Sequence, residues 1–359
     1  MRIVIVAGGT GGHLYPGIAV AQELERWDHH ARVTFVGSKG QLAREILLRE
    51  GFAYREITAS GLRRRRLHKQ LFSLAHALIG FAEAVHLLRQ VQPHVVLGLG
   101  SYVAGPALLA AAALGISCVI QEQNVIPGLT NRLLGRIVDR VAVSFEETVS
   151  YFPRGKAIVT GNPVRPALRG DWAGTREPNG RFHLLLFGGS QGAHRLNVAM
   201  MDALPHLSGV KAALWIVHQT GQHDFAAVQA AYTEMGFPGV VHTYIEDMAA
   251  AYRAADLVIC RAGATTVAEL TAVGKPAILV PFPYAANNHQ EHNARALSAA
   301  LAGAVIRDED LSGALLAEHI CHYLQHPEQV AEMAIRSQAL GKPDAAIRVA
   351  QLCLEVSRS

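Results

Sequence analysis

The sequence predicts an α/β fold in two similar halves, each a parallel sheet wound on both faces by helices. Three observations carry that expectation. Met1–Gly17, MRIVIVAGGTGGHLYPG, is an apolar β-branched run that drives into glycines. Phe182–Ala193 repeats the pattern, a strand-like run ending in GGSQGA. The 359 residues exceed one ordinary core and suit two.

Arg2–Val6 is too short for a helix and rich in Ile and Val, so it reads as a buried strand of a parallel sheet. Glycines 8, 9, 11 and 12 permit positive φ and strip the turn of Cβ atoms. Main-chain N–H groups can therefore approach an anion, such as a phosphate, at the start of the helix expected at Ile18–Trp27. The spacing lacks the glycine at Leu14 of a dinucleotide fingerprint and the Gly-Lys pair of a Walker A loop, which argues against NAD and ATP. His13 ends the loop, where an imidazole titrating near neutrality can act as a base. A plain strand-to-helix turn with an incidental histidine fits the same residues.

Arg32–Val36 and Ala53–Ile57 read as strands around a helix at Gln41–Glu50. Arg63–Arg66 and Lys69 then precede Leu67, Leu71, Leu74, Ala75 and Leu78 at helical spacing, with Phe72, Ile79 and Phe81 widening the apolar face. This combination suits docking on an anionic membrane surface, and equally a core-facing helix behind a solvated charge run. His94–Gly98 is a strand entering a second glycine turn, Gly98–Pro106, beside the first loop where open α/β sheets bind ligands. Tyr102–Ile120 is uncharged, but Gly105, Pro106, Gly115 and the β-branched Ile116–Ile120 make it a buried helix and strand, not a membrane span. Gln121–Asn124 set four polar side chains at that strand's end, able to read sugar hydroxyls or simply leading into the Pro127-Gly128 turn. Asp139–Val143 is a further strand. Gly161-Asn162-Pro163 and Pro166 break the pattern, and Ala173–Gly180 has no periodicity. Domains are expected at 1–162 and 163–342, with 343–359 helical and packing back on the first.

In the second half Phe182–Phe187, Ala213–Val217, Val240–His242, Leu257–Cys260 and Ala277–Pro281 read as strands, with a helix from His194 to about Pro205. Two strand-loop-helix anion sites, one per half, imply two similar domains facing a cleft. Cys260–Leu270 places small residues and two threonines at a helix start, with Glu269 within reach of a nucleoside. Pro281–Asn293 is dense in amide and imidazole groups. Asp308-Glu309-Asp310 resembles a metal-binding DxD string, but its place before an apolar-periodic segment reads as helix capping. No metal is expected, and the histidines show no ligand spacing.

Composition sets bounds. Half the residues are apolar and 17% charged, which excludes a disordered or collagen-like chain. The +4 net charge is too small and dispersed to imply nucleic acid. Cys118, Cys260, Cys321 and Cys353 lie far apart, without zinc or CxxC spacing, as expected of a reduced intracellular protein. No signal peptide is expected at Met1.

Taken in order, AGGTGGHLYPG (Ala7–Gly17), QEQN (Gln121–Asn124), GNPVR (Gly161–Arg165), GGSQGA (Gly188–Ala193), YIEDMAAAY (Tyr244–Tyr252), RAGATTVAE (Arg261–Glu269) and HQEHNA (His289–Ala294) resemble the GT-B glycosyltransferases, among them the N-acetylglucosaminyltransferases of peptidoglycan synthesis. The resemblance implies the GT-B architecture, two Rossmann-like domains facing a cleft. It also implies transfer of N-acetylglucosamine from UDP-N-acetylglucosamine to the 4-hydroxyl of a lipid-linked muramoyl pentapeptide, with inversion and no cofactor. Thr10, Gly11, Gly12, Asn124, Arg165, Ser190, Ile245, Ala264, Thr265, Thr266, Val267, Ala268, Glu269 and Gln290 would bind substrate. His13 would be the catalytic base or would bind the acceptor pyrophosphate. Implied partners are the two substrates, an anionic membrane surface and other cell-wall synthesis or division proteins. The implied location is the cytoplasmic face of the inner membrane. Ser101 and His194 depart from the family's glycine and arginine. A UDP-N-acetylglucosamine 2-epimerase needs no lipid acceptor, so Arg63–Arg66 and Gly98–Pro106 speak against it. Intact His13 and Glu269 speak against a noncatalytic nucleotide-sugar-binding subunit.

Overall fold

The computed structural model describes residues 1–8, 11–59, 67–170, 180–189 and 191–358, with backbone alone at 41, 42 and 67–75. The chain forms two compact units, Met1–Pro166 joined by Lys342–Ser359, and Ala167–Gly341.

In chain order the first unit holds β1 (Arg2–Val6), α1 (Gly11–Trp27), β2 (Arg32–Gly37), α2 (Gln41–Arg49), β3 (Ala53–Glu56), α3 (Leu67–Val91), β4 (Val95–Gly98), α4 (Ala104–Ala113), β5 (Ser117–Glu122), α5 (Leu129–Leu134), β6 (Arg140–Val143) and β7 (Ala157–Val159). The strands make a parallel sheet in the order β3-β2-β1-β4-β5-β6-β7. Alternation along β1 divides the core: Ile3 and Ile5 join Leu14, Ile18 and Phe35 on one face, while Val4 and Val6 join Leu108, Ile120 and Val141 on the other. A sheet buried on both faces needs continuous apolar strands, and β1 and β4 are such runs.

The second unit holds β8 (Phe182–Phe187), α6 (His194–Ala203), β9 (Leu214–Gln219), α7 (Phe225–Met235), β10 (Gly239–His242), α8 (Met248–Ala254), β11 (Leu257–Cys260), α9 (Ala264–Ala272), β12 (Ala277–Leu279), α10 (His289–Ala299), β13 (Gly303–Val305), α11 (Gly313–Gln325) and α12 (Pro327–Leu340). Its parallel sheet runs β10-β9-β8-β11-β12-β13. The last helix, α13 (Ala345–Val356), belongs to the first unit, where it packs on α1, β4, β5 and β6.

Both sheets reverse direction beside their first strand. From β1 the chain winds outward to β2 and β3, then crosses to β4 on the other side; β8 is flanked in the same way by β9 and β11. Loops leaving the carboxyl ends of such strands frame a ligand crevice. Those following β1 and β4, and those following β8 and β11, include the glycine-rich segments of the sequence.

Two expectations need correction. The first helix starts at Gly11, not at Ile18, so His13 stands in its opening turn. Pro16 lies one turn in and forgoes a single N–H bond, and the helix runs through it. Asp308 does not cap a helix: it pairs with Arg195 and Arg261, and Ser312 Oγ instead caps α11 by accepting from Leu315 N at 3.2 Å. Arg63–Arg66, Thr10 and Ser190 lie outside the described residues.

Candidate active site

In the first unit the loops after β1 and β4 press together. A Cβ added at Gly8 would stand 2.7 Å from Ser101 Cβ and 3.1 Å from His13 Cδ2, so only glycine fits there. Gly100, at φ +85°, presents its backbone to the half-buried His13: a Cβ there would lie 3.6 Å from His13 Cε1 and 3.5 Å from Asn131 Nδ2. Asn131 Nδ2 in turn donates to Glu122 Oε2 at 2.8 Å. Glu122 is the hub of this region. Buried at the end of β5, it also accepts from Asn124 N at 3.0 Å, Asn124 Nδ2 at 3.3 Å and Gly128 N at 3.2 Å. Burial pushes its carboxyl above the usual range, against the four hydrogen bonds that pull it down.

Of the four polar residues closing β5, Gln121, Glu122 and Gln123 are buried. Gln121 Nε2 donates to Asn162 Oδ1 at 3.2 Å, tying β5 to the GNPVR segment. Gln121 and Glu122 brace the loop, and of the four only Asn124 is partly exposed. Arg165 stacks over the Tyr15 ring of α1, its guanidinium carbon 4.5 Å from the centroid. The structure thus groups Gly11, Gly12, His13, Asn124 and Arg165 around the amino-terminal end of α1 and the loop after β5.

In the second unit a residue that the sequence reading passed over links two predicted ones. Gln219, buried at the end of β9, donates from Nε2 to Gly189 O at 2.8 Å and accepts at Oε1 from Ile245 N at 2.8 Å. The N–H of Ile245 is therefore engaged within the protein. The Gly188–Ala193 loop itself is close-packed: Gly192 (φ +79°) and Gly221 (φ +78°) set their backbones against each other where no Cβ fits. Only the signal of a polar residue closing an apolar strand, as at Gln121–Asn124, could have found Gln219.

The opening of α9 divides its residues by exposure. Ala264, Val267 and Glu269 are buried, whereas Thr265, Thr266 and Ala268 are partly exposed. The first N–H groups of any helix lack intrahelical acceptors and can serve as anion donors. Glu269 Oε2 accepts from Tyr252 OH at 3.1 Å, and the Tyr252 ring meets Phe187, the residue before the glycine loop, edge-on at 6.1 Å. Gln290 uses its carbonyl to accept from Phe282 N at 2.9 Å. Arg261 holds the same turn, donating to the carbonyls of Val280 and Pro281 at 3.2 Å each and pairing with Asp308. Arg195 is likewise turned to Asp308, 3.1 Å from its carboxylate, and so is not a substitute for the family's arginine at His194.

Two parallel-sheet α/β units, each with glycine-rich loops at the point where its strand order reverses, are an architecture of sugar-nucleotide enzymes. The chain matches the glycosyltransferase family 28 N-terminal domain over residues 3–143 and the family's C-terminal domain over residues 183–349. It belongs to glycosyltransferase family 28. A protein of Syntrophus aciditrophicus named UDP-N-acetylglucosamine--N-acetylmuramyl-(pentapeptide) pyrophosphoryl-undecaprenol N-acetylglucosamine transferase is 45% identical, with 100% of this chain and 99% of that one covered. A protein of Citrifermentans bemidjiense with the same name is 46% identical over 96% of this chain and 97% of its own. Among solved structures, Acinetobacter baumannii MurG superimposes with a TM-score of 0.78 at 30% identity, covering 99% of this chain and all of that one. A Neisseria meningitidis UDP-GlcNAc 2-epimerase superimposes at 0.68 with 13% identity, covering 99% of this chain and 100% of its own, which is a likeness of fold alone.

Proposed function

We propose that this enzyme moves N-acetylglucosamine from UDP-N-acetylglucosamine to the 4-hydroxyl of the N-acetylmuramoyl unit of a lipid-pyrophosphate-linked pentapeptide. The observation that carries the reading is the identity of 45% and 46%, over nearly the whole chain, to relatives named for that transfer. In the reaction the acceptor oxygen forms a bond to the sugar carbon as the bond from that carbon to the UDP oxygen breaks, inverting the centre. The bonding pair leaves with UDP, and the hydroxyl proton passes to the His13 imidazole.

The second unit holds the donor. Backbone N–H groups of the Gly188–Ala193 loop with the Ser190 hydroxyl, and those opening α9 at Ala264–Ala268, offset the charge that grows on the diphosphate. The Ile245 carbonyl accepts from the uracil N–H, and Glu269 accepts from ribose hydroxyls. Gln290 orients the sugar. In the first unit Asn124 also addresses the sugar, Gly11 and Gly12 offer N–H groups at the start of α1, Thr10 contributes to substrate binding, and Arg165 adds a charge-assisted bond to an anionic group.

The test is UDP release with and without a lipid-pyrophosphate muramoyl peptide, alongside detection of the disaccharide. Release that requires the acceptor and matches disaccharide formation is expected; release without acceptor overturns the reading. His13→Ala should lower kcat by at least 100-fold and leave UDP-N-acetylglucosamine affinity within twofold. A raised acceptor KM at normal kcat would instead assign His13 to the acceptor's pyrophosphate.

We further infer that the first unit docks on an anionic bilayer. Among the described residues no helix is long and apolar enough to cross a membrane. What supports docking is a run of exposed apolar side chains on packed helices: Leu78 and Ile79 on α3, Leu109 on α4, and Leu129 and Leu133 on α5, with the exposed Arg132 and Arg136 among them. Sedimentation with phosphatidylglycerol vesicles should fall with salt and drop at least fivefold in Arg132→Glu/Arg136→Glu. Unchanged sedimentation leaves this face without a lipid role.

A further inference from the structure

His194, His223 and Asp224 meet at one point of the second unit. His194 Nδ1 and His223 Nδ1 each stand 2.9 Å from the same oxygen, Asp224 Oδ1, and the three candidate ligand atoms lie within 4.8 Å of one another. The two rings are nearly perpendicular, at 86° with centroids 6.1 Å apart. Both imidazoles are exposed and the carboxylate is buried.

The carboxylate is held in a way that its place in the chain does not require. Asp224 stands immediately before α7, where an aspartate ordinarily caps the helix, yet its side chain makes no capping bond. Its Oδ2 instead accepts from Asn197 Nδ2 at 2.8 Å. Asn197 Nδ2 also donates to Thr220 O, and Asn197 Oδ1 accepts from His218 Nε2 at 3.0 Å. His218 therefore carries its proton on Nε2, and its Nδ1 accepts from Tyr232 OH at 3.0 Å. Asn197, His218 and Tyr232 are all buried. A chain of core polar groups thus fixes one carboxylate oxygen and leaves the other aimed at two solvent-facing imidazoles.

We propose that His194, His223 and Asp224 form a binding site for one borderline divalent transition-metal ion, with zinc as its reference member. Two imidazoles and one carboxylate are a donor set for Zn²⁺, Co²⁺ or Ni²⁺, and not for Mg²⁺ or Ca²⁺, which take oxygen ligands. Tetrahedral bonds of about 2.0–2.2 Å separate ligand atoms by roughly 3.3–3.6 Å. Asp224 Oδ1 stands 2.9 Å from each nitrogen, so the ion would spread these contacts by about half an ångström, a movement the exposed imidazole rings are free to make. On binding, each imidazole presents its Nδ1 lone pair and keeps its one proton on Nε2, toward solvent. Asn197 supplies the outer-shell bond that orients a metal-bound carboxylate. Three protein ligands leave the remaining positions to water or an anion. Since Arg195 is turned to Asp308, the ion would be the fixed positive charge at the start of α6.

Metal binding at this cluster requires no nucleotide sugar. Untagged full-length protein is titrated with ZnCl₂ alone by calorimetry, and with CoCl₂ by visible absorption. One Zn²⁺ per chain is expected, at micromolar affinity or tighter and undisturbed by equimolar Mg²⁺. The Co²⁺ spectrum should lack the thiolate charge-transfer band that ligation by the partly exposed Cys321 would give. His194→Ala/His223→Ala should weaken Zn²⁺ binding at least 100-fold with an unchanged circular dichroism spectrum, because both side chains are exposed. A control at the stacked His322–His326 pair, whose centroids are 4.4 Å apart, should leave it intact. Substoichiometric binding in the wild type, or equal Zn²⁺ affinity in the double variant, overturns the site and leaves a hydrogen-bonded cluster.

Discussion

Ser101 shows what a single residue can cost beside a functional loop. It follows Gly100 into the left-handed region at φ 70°, where a Cβ is disfavoured by about 1–2 kcal/mol, and its buried Oγ has no hydrogen-bond partner. Glycine at this position would remove the strain and the orphaned hydroxyl together. It would also loosen the unfolded chain, which offsets part of the gain. Ser101→Gly is therefore expected to stabilise the first unit by about 1 kcal/mol, read as a higher urea midpoint at unchanged m-value. A lower midpoint would mean that the contact between Ser101 and the His13 loop outweighs the strain.

The elements were legible where composition alone decides them. β1, β8 and β11 fall at the residues that their apolar runs mark, because a strand buried on both faces has little freedom of sequence. β7 and β13, three residues each at the sheet edges, carry too short a run to separate from loop. The glycine loops and the Gln290, Glu269 and Asn124 positions could be named from motifs. Gln219 could not be given its role, since its partners Gly189 and Ile245 lie 30 and 26 residues away along the chain; the partners of Glu122 are local, but only the fold shows its carboxylate buried and turned back on the loop that follows. β9 illustrates the difference. His218 stands in an apolar strand, and only the fold shows it locked between Asn197 and Tyr232. Burial pushes its pKa down from 6.5 to about 3, although the Asp224 charge pulls the other way. The unfolded chain binds this proton near pH 6.5 and the folded chain does not until about pH 3, so the contribution is fully present above pH 6.5 and is lost as pH falls toward 3. The loss amounts to a few kcal/mol at the acid end. Urea midpoints of the wild type should decline through that window, and His218→Gln should flatten the decline by up to one proton per unfolding event. An identical slope in the variant would show that other groups carry the acid sensitivity.

At the scale of the whole chain, the two units have separate cores but are not two consecutive pieces of sequence. After the second unit the chain returns, and α13 completes the first: Ser117 Oγ on β5 donates to Val356 O at 2.9 Å, and Val349, Leu352, Cys353 and Val356 are buried in the β1 face of the first core. Burying Val349, Leu352 and Val356 stabilises by roughly 4.5–9 kcal/mol at 1.5–3 kcal/mol each, which is comparable to the net stability of an ordinary domain. Among the described residues, the main core cluster of the second unit runs from Phe182 to Met333 and includes no residue of α13. Removing Lys342–Ser359 should therefore unfold the first unit and spare the second. Amide hydrogen exchange read by mass spectrometry would show β1, β4 and β5 peptides exchanging at the unfolded rate, while β8, β9 and β11 keep protection factors within tenfold of the full-length chain. Retained protection along β1 would mean that the sheet closes its face without α13. Loss of protection in both units would mean that the second depends on the first to fold, and the division into independently stable cores would fail.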